Sequence, residues 1–225
     1  MKKDFSNLKK EIRNLKDKKK ILSVIIYGSA ISNKKKVNDL DGIIVVKEVN
    51  SSLLPFFNLL NTKYEKLDFN IYTYEELIKK ISFYTREFKL EYLAKGNCIY
   101  GENLLKKEFS KISKFEYRHS LLIRTIEHLQ MVRHKFFTSK IDDDQKRVYL
   151  EKYFWRISRN LLLFKGEHNH TSVNKLSQKD ILKKLYTLKL YDYVPKINSQ
   201  LTLDEFFDCF VLISKAIIEC RKEIS

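Results

Sequence analysis

The chain has 225 residues, which is enough for one or two domains of ordinary size. Hydrophobic residues make up 44% of it, with only 5 Gly and 2 Pro, which excludes wholesale disorder and disfavours a turn-rich all-β fold. Its net charge of +16, from 44 Lys and Arg against 28 Asp and Glu, is typical either of a protein that binds a polyanion or of a solvated lysine-rich surface.

The sequence shows no sign of a membrane span or a secretory signal. No stretch approaches the ~18 uncharged apolar residues that read as a membrane span, and the charged N-terminus lacks the apolar core of a signal peptide. The three cysteines, Cys98, Cys209 and Cys220, are too few and too scattered for a disulfide framework or a zinc cluster. We therefore expect a cytoplasmic protein that does not enter a membrane.

The first elements along the chain are predicted to be a helix and two strands. Four apolar residues at helical spacing predict the helix, namely Phe5, Leu8, Ile12 and Leu15. Residues 21–27 are rich in β-branched side chains and end at Gly28-Ser29, which predicts a buried strand. A polar loop over residues 30–38 separates it from a second predicted strand at residues 39–46.

The next segment also alternates between helix and strand. Residues 52–61 are predicted to form a short helix, and residues 67–72 alternate apolar and polar side chains, as in a half-buried strand. Thr73, followed three residues later by Glu76, is a capping-box signal for another helix. Residues 97–101 are predicted to form a last short strand.

From about residue 104 onward the pattern is helical. Apolar side chains recur at helical spacing over residues 115–137, 145–164 and 203–223. Pro195 interrupts the chain before the last of these predicted helices.

Together these elements predict an α+β fold class. A small mixed β-sheet domain flanked by helices would occupy residues 1–105, and an all-α helical bundle would follow at residues 106–225. The change from alternating strands and helices to helices alone marks the predicted boundary.

Two aspartates, Asp39 and Asp41, stand at the start of the second predicted strand. Residues two apart in a strand point to one face, so we expect the two side chains to lie about 6.5–7 Å apart along the strand. Like charges this close repel each other unless a cation lies between them. A hard divalent ion such as Mg²⁺ suits an all-oxygen site. Asp68, from the third predicted strand, completes the cluster if that strand is adjacent.

Groups that suit a phosphate precede these aspartates. Gly28 lets a phosphate approach the backbone, and Ser29 offers both an N–H and a hydroxyl donor. The ammonium groups of Lys34, Lys35 and Lys36, in the intervening loop, could reach a triphosphate. With the carboxylates, these residues predict a nucleotidyl-transfer site, where a hydroxyl attacks the α-phosphorus of a nucleoside triphosphate and pyrophosphate leaves.

The order of these residues resembles the polymerase-β-type nucleotidyltransferase superfamily. That family's pattern is a hydrophobic residue, Gly, Gly or Ser, a spacer, Asp-hydrophobic-Asp and a third acidic residue. Its counterparts here are Tyr27-Gly28-Ser29, a nine-residue spacer, Asp39-Leu40-Asp41 and Asp68. The resemblance covers residues 21–105. Residues 155–175 are similar, more loosely, to the helical substrate domain of aminoglycoside-type adenylyltransferases.

The resemblance implies a catalytic sheet domain, two Mg²⁺ ions and a nucleoside triphosphate donor such as ATP. It implies that Asp39 and Asp41 are ligands of both metal ions and that Asp68 is the third ligand. The base that takes the proton of the acceptor hydroxyl is then Asp68 or another acid, such as Glu91 or Glu102.

Three functions are open from the sequence. The first is transfer of AMP from ATP to a hydroxyl of a small molecule such as an aminoglycoside-type antibiotic, with an acceptor pocket in the helical half. The second is transfer onto RNA or a protein, as in toxin-like relatives. The net charge of +16 favours an RNA acceptor, because it repels a polycation at long range. The third is a non-catalytic, antitoxin-like module that binds a nucleotide.

Overall fold

A computed structural model describes residues 6–14, 18–28, 40–63, 67–79, 87–138, 140–166, 169–197 and 201–224. The chain divides into two compact units, Met1–Ile112 and Ser113–Ser225. The predicted boundary at residues 105 and 106 falls inside the helix Leu104–Phe109, which belongs to the first unit. The roles of the two segments, as a nucleotidyltransferase domain and a substrate-binding domain, stay predictions.

The first unit is built on a four-stranded mixed sheet. Its strands are β1 (Ile21–Tyr27), β2 (Leu40–Val46), β3 (Leu67–Thr73) and β4 (Asn97–Gly101). They lie in the order β3-β2-β1-β4, with β1 antiparallel to both β2 and β4 and with β2 parallel to β3. A parallel pair needs a crossover connection, which here contains the helix Leu54–Lys63.

The described part of the first unit contains five α-helices. They are α1 (Ser6–Asn14), α2 (Leu54–Lys63), α3 (Tyr74–Ile78), α4 (Glu87–Ala94) and α5 (Leu104–Phe109). The predicted capping box at the start of α3 is confirmed. The Thr73 hydroxyl accepts a hydrogen bond from the Glu76 N–H (3.1 Å), and the Thr73 N–H donates one to the Glu76 carboxylate (2.7 Å).

Alternate residues of β1 and β2 enter two hydrophobic clusters on opposite faces of the sheet. One cluster joins Leu8 and Ile12 of α1 to a set of strand residues, Val24, Ile26, Ile44 and Val46. The other joins leucines of α3, α4 and α5 to the alternate set, Ile25, Tyr27, Ile43 and Val45. We call the side that carries this second set the Tyr27 face. Burial on both faces explains why the two strands contain nearly unbroken runs of Ile and Val.

The second unit is entirely helical in its described part. Its helices are α6 (Lys114–Thr138), α7 (Asp143–Lys165), α8 (His170–Val173), α9 (Gln178–Thr187) and α10 (Leu203–Lys222). The carboxylate of Asp142 caps α7 by accepting a hydrogen bond from the Gln145 N–H (2.7 Å), and α7 ends at Gly166 with a left-handed φ of 75°. The predicted α+β fold class, a mixed sheet with helices followed by a helical region, is confirmed. None of the described helices is both long and apolar enough to cross a membrane.

Candidate active site

The end of β1 meets the start of β2 at Gly28 and Asp41. Tyr27 is the register partner of Asp41, so the residue that follows Tyr27 lies beside the aspartate. Gly28 has a left-handed φ of 74°, and a Cβ built on it would overlap Oδ2 of Asp41 and lie 3.3 Å from its Cγ. Only glycine satisfies both the backbone angle and the close approach of the carboxylate. The glycine and the aspartate of the predicted motif therefore contact each other directly.

Asp68 lies next to Asp41 across the parallel pair of strands. The two residues are register partners in β2 and β3, where neighbouring strands lie about 4.8 Å apart. The alternation of β3 places Asp68 on the same side as Tyr72, which packs against the cluster on the Tyr27 face. Asp41 is half-buried and Asp68 is exposed. Two carboxylates thus stand side by side at one end of this face, where like charges destabilise a sheet.

Five of the predicted site residues lie outside the described residues. They are Ser29, Lys34, Lys35, Lys36 and Asp39. Their roles in metal and phosphate binding stay predictions. Within the described ranges, which exclude Asp39, no group of three or more His, Cys, Asp or Glu side chains could hold a metal ion.

The register of β4 separates Glu102 from this site. Gly101 pairs with Ser23, whereas Asp41 pairs with Tyr27 at the other end of β1. Four residues of strand correspond to about 13 Å, and Glu102 lies beyond Gly101. The direction of β4 carries Glu102 to the opposite end of the sheet from Asp41, so Glu102 does not suit the role of the base.

Glu91 remains the other acidic residue to consider as a base. It lies on α4, where its neighbours Leu90 and Leu93 join the cluster on the Tyr27 face. Its side chain is buried and forms an ion pair with Lys95 (2.7 Å). The Glu91 carboxylate is thus already engaged by Lys95, whereas Asp68 is exposed and lies beside Asp41, so Asp68 suits the role better.

Asn70 is a polar residue of this face that the sequence did not single out. It follows Asp68 by two residues, which places both on the same side of β3. Its Nδ2 is buried and has no hydrogen-bond partner, although buried amide donors normally have one. The alternation of residues 68, 70 and 72 in the sequence already indicates that Asn70 shares a face with Asp68. The same pattern is equally typical of an exposed strand at the edge of a sheet, so it does not single out Asn70.

The three cysteines, all within the described residues, do not have the properties of catalytic nucleophiles. All three cysteines are free thiols. Burial raises the pKa of Cys98 and of Cys209, and it raises the pKa of Cys220 to about 12. The thiolate, which is the nucleophilic form, is therefore scarce at neutral pH.

Gly42 lies on the face of β2 that carries Ile44 and Val46, opposite to the Tyr27 face. It is the register partner of Phe69, and a Cβ built on it would overlap Cε1 of the ring and lie 2.8 Å from its Cζ. The phenyl ring thus fills the space that a side chain at position 42 would occupy. A glycine follows Asp41 because the Phe69 ring of the neighbouring strand β3 already fills the space that a larger side chain would need.

We expect Gly42→Ala to destabilise the protein by about 1–3 kcal/mol, the usual cost of overpacking a core. The double variant with Phe69→Leu should recover part of that loss, because the smaller side chain leaves room for the methyl group. Urea unfolding of the wild type, both single variants and the double variant measures these terms. A double variant that is as unstable as the sum of the single variants would contradict the contact.

Comparisons with known proteins give only a weak structural similarity. No protein-family model matches the chain, and no curated protein matches it. The chain is similar to a solved structure of a nucleotidyltransferase-like protein from Exiguobacterium sibiricum 255-15, with 14% sequence identity and a TM-score of 0.35 over 96% of this chain and 74% of that one. A similarity this low does not indicate a function. The function proposed below therefore rests on the geometry of the site.

Proposed function

We propose that the chain is a Mg²⁺-dependent nucleotidyltransferase of the polymerase-β type, which transfers AMP from ATP to a hydroxyl group of an acceptor. The observation that carries this proposal is the contact of Gly28 with the Asp41 carboxylate, together with the pairing of Asp41 and Asp68 in register. Nucleotidyl transfer needs a positioned triphosphate and a bound metal ion, and a glycine turn beside carboxylates from two adjacent strands suits both tasks.

The residues fit the metal that this reaction needs. Carboxylate oxygens are the preferred ligands of Mg²⁺, and Asp41 and Asp68 present theirs side by side on one face. Asp39, two residues before Asp41, is the third ligand in the proposal. Bound Mg²⁺ would neutralise the phosphates and the departing pyrophosphate.

The remaining tasks belong to the chain's own groups. Gly28 keeps the backbone open to the triphosphate, and Ser29 with Lys34, Lys35 and Lys36 is proposed to hold its oxygens. Asp68 accepts the proton of the acceptor hydroxyl. The hydroxyl oxygen then bonds to the α-phosphorus while the bond to the β-phosphate oxygen breaks, and pyrophosphate leaves.

The proposed acceptor is a small molecule with a free hydroxyl, such as an aminoglycoside-type antibiotic. RNA is the second candidate, because a protein with a net charge of +16 attracts a polyanion and repels a polycation at long range. The three free cysteines agree with the proposed location in a reducing cytoplasm.

Pyrophosphate release tests the reaction and separates the acceptors. The protein is incubated with labelled ATP and Mg²⁺ together with aminoglycosides, with total tRNA, or with no acceptor. Release and label transfer only with the small molecules support the first acceptor, and transfer only onto RNA supports the second. Binding of ATP without release under any condition would leave the non-catalytic module as the function.

We expect Asp68→Ala to lower kcat by about a hundredfold or more, which is the usual contribution of a general base. Binding of ATP should remain measurable by calorimetry, because the triphosphate contacts come from other residues. Full turnover in this variant would remove Asp68 from the site. The parallel variant Glu91→Gln should retain most of the activity, because Glu91 is already paired with Lys95.

A further inference from the structure

One side of α7 carries a row of basic residues. Lys152, Arg156 and Arg159 follow each other at helical spacings of four and three, so they lie on one face of the helix. Lys152 and Arg156 are exposed and Arg159 is half-buried. The guanidinium carbon of Arg156 lies 5.3 Å from the centroid of the Tyr153 ring, and the Lys152 ammonium lies 5.9 Å from it. We call Lys152, Arg156, Arg159 and the adjoining Asn160 the α7 basic face.

The charges of this face are not neutralised within the described part of the chain. No acidic side chain there lies within ion-pair distance of Lys152, Arg156 or Arg159. Other arginines of the same unit are paired: Arg118 lies 2.6 Å from Glu223, and Arg124 lies 2.9 Å from Glu127. Arg156 and Arg159 differ from these two arginines in having no carboxylate beside them in the described structure.

Hydrogen-bond donors on and beside this face also have no acceptor. Nε of Arg159, Nδ2 of Asn160 and Nε1 of Trp155 are all buried, and none of them has a hydrogen-bond partner in the described structure. Buried N–H groups are nearly always paired in native proteins, and an exception points to a missing water, ion or ligand. Here three such donors occur within six residues of one helix.

The pKa of Arg159 also indicates that no anion lies beside its guanidinium group within the described structure. Its pKa is lowered, mainly because burial penalises the charged form and also because the positive charge of Arg156 lies nearby. Two guanidinium groups one helical turn apart therefore repel each other with no anion between them. An anion on this face would offset the repulsion between the two guanidinium groups. It would also accept hydrogen bonds from the donors that have no partner.

We propose that the α7 basic face binds a phosphate group. Two guanidinium groups and an ammonium call for an anion with more than one negative charge, and phosphate offers several acceptor oxygens that match the planar fork of arginine. Arg159 and Asn160 would donate to these oxygens, and Arg156 and Lys152 would balance the charge. The phosphate can belong to a nucleotide or to an RNA backbone. The inference concerns the helical unit alone and does not depend on the reaction proposed for the first unit.

Trp155 gives this proposal a direct reporter, because it is the single tryptophan of the chain and lies one turn before Arg159. Its fluorescence is followed while the full-length protein is titrated with inorganic phosphate, with ATP, or with a single-stranded RNA oligonucleotide. EDTA is present throughout, so that a metal-dependent site does not contribute. The same titrations are made with Arg159→Gln and with Arg156→Gln. The matched control is Lys179→Gln, which removes one exposed charge from α9 of the same unit.

We expect saturable binding of at least one of the three probes in the wild type. Its Kd should rise by about tenfold or more in each arginine variant, as for the loss of a charged hydrogen bond, and by less than about twofold in the control. The probe that binds most tightly identifies the source of the phosphate. Arg156 is exposed, so its variant tests the site even if Arg159→Gln folds poorly. Absence of saturable binding, or equal weakening in the lysine control, would overturn the proposal.

Discussion

Asp41→Asn is expected to reduce turnover by about a thousandfold or more while leaving the fold intact. A catalytic metal contributes several kcal/mol to transition-state stabilisation, and each ~1.4 kcal/mol corresponds to a factor of ten in rate. The amide of asparagine keeps the shape of the side chain but loses the charge that would hold the metal. Steady-state pyrophosphate release measures the loss.

The same variant should be slightly more stable than the wild type when no metal is present. Asp41 and Asp68 are paired in register, and removing one of two like charges relieves a repulsion worth a few tenths of a kcal/mol, up to about 1 kcal/mol. The control is Glu75→Gln on α3, an exposed carboxylate of the same unit whose pKa is lowered by its hydrogen bond to Lys79. It should retain activity. An Asp41→Asn protein that is fully active, or unfolded, would contradict the assigned role.

Gly28→Ala is expected to lower turnover by about a hundredfold, the cost of displacing a catalytic group by roughly 1 Å. The new Cβ would overlap Oδ2 of Asp41, so the carboxylate has to move. The left-handed backbone adds a further destabilisation of about 1–2 kcal/mol. Urea unfolding and pyrophosphate release together separate the two effects.

Gly166→Ala is a matched control for this variant. Gly166 ends α7 with a φ of 75°, nearly the same as that of Gly28, but a Cβ there would meet only Cε of Lys114 at 3.9 Å. The backbone penalty is therefore common to both variants, and the clash with a carboxylate belongs to Gly28 alone. If the two variants lose activity equally, strain rather than the position of Asp41 accounts for the loss.

The strands and the motif could be predicted from the sequence because they depend on local patterns. The central strands β1 and β2 are buried on both faces, so they appear as continuous runs of Ile and Val that stop at a glycine or begin at an aspartate. The sequence predicted that Asp41 and Asp68 are adjacent only if their two strands are neighbours in the sheet. It depends on the parallel pairing of β2 with β3, and a register between distant segments leaves no trace in a local pattern.

Other features of the structure were not predicted from the sequence, for different reasons. The position of Glu102 depends on the direction of β4, which pairs Gly101 with Ser23 and not with the Tyr27 end of β1. The short helix α9 was not predicted, because its ten residues are rich in lysine, although Ser177 caps it and its buried residues Ile181 and Leu185 have helical spacing. The α7 basic face could not be found either, because the sequence does not say which arginines have carboxylates beside them.

The binding of Mn²⁺, a spectroscopic substitute for Mg²⁺ at oxygen sites, tests the central claim most directly. Electron paramagnetic resonance of free Mn²⁺ is recorded during titration of the wild type, Asp41→Asn, Asp68→Asn and the control Glu75→Gln, each without nucleotide, because a triphosphate would bind Mn²⁺ itself. We predict tight binding in the wild type and the control, with affinity reduced at least about tenfold in each aspartate variant. Equal binding by all four proteins would contradict the claim that Asp41 and Asp68 form a metal site.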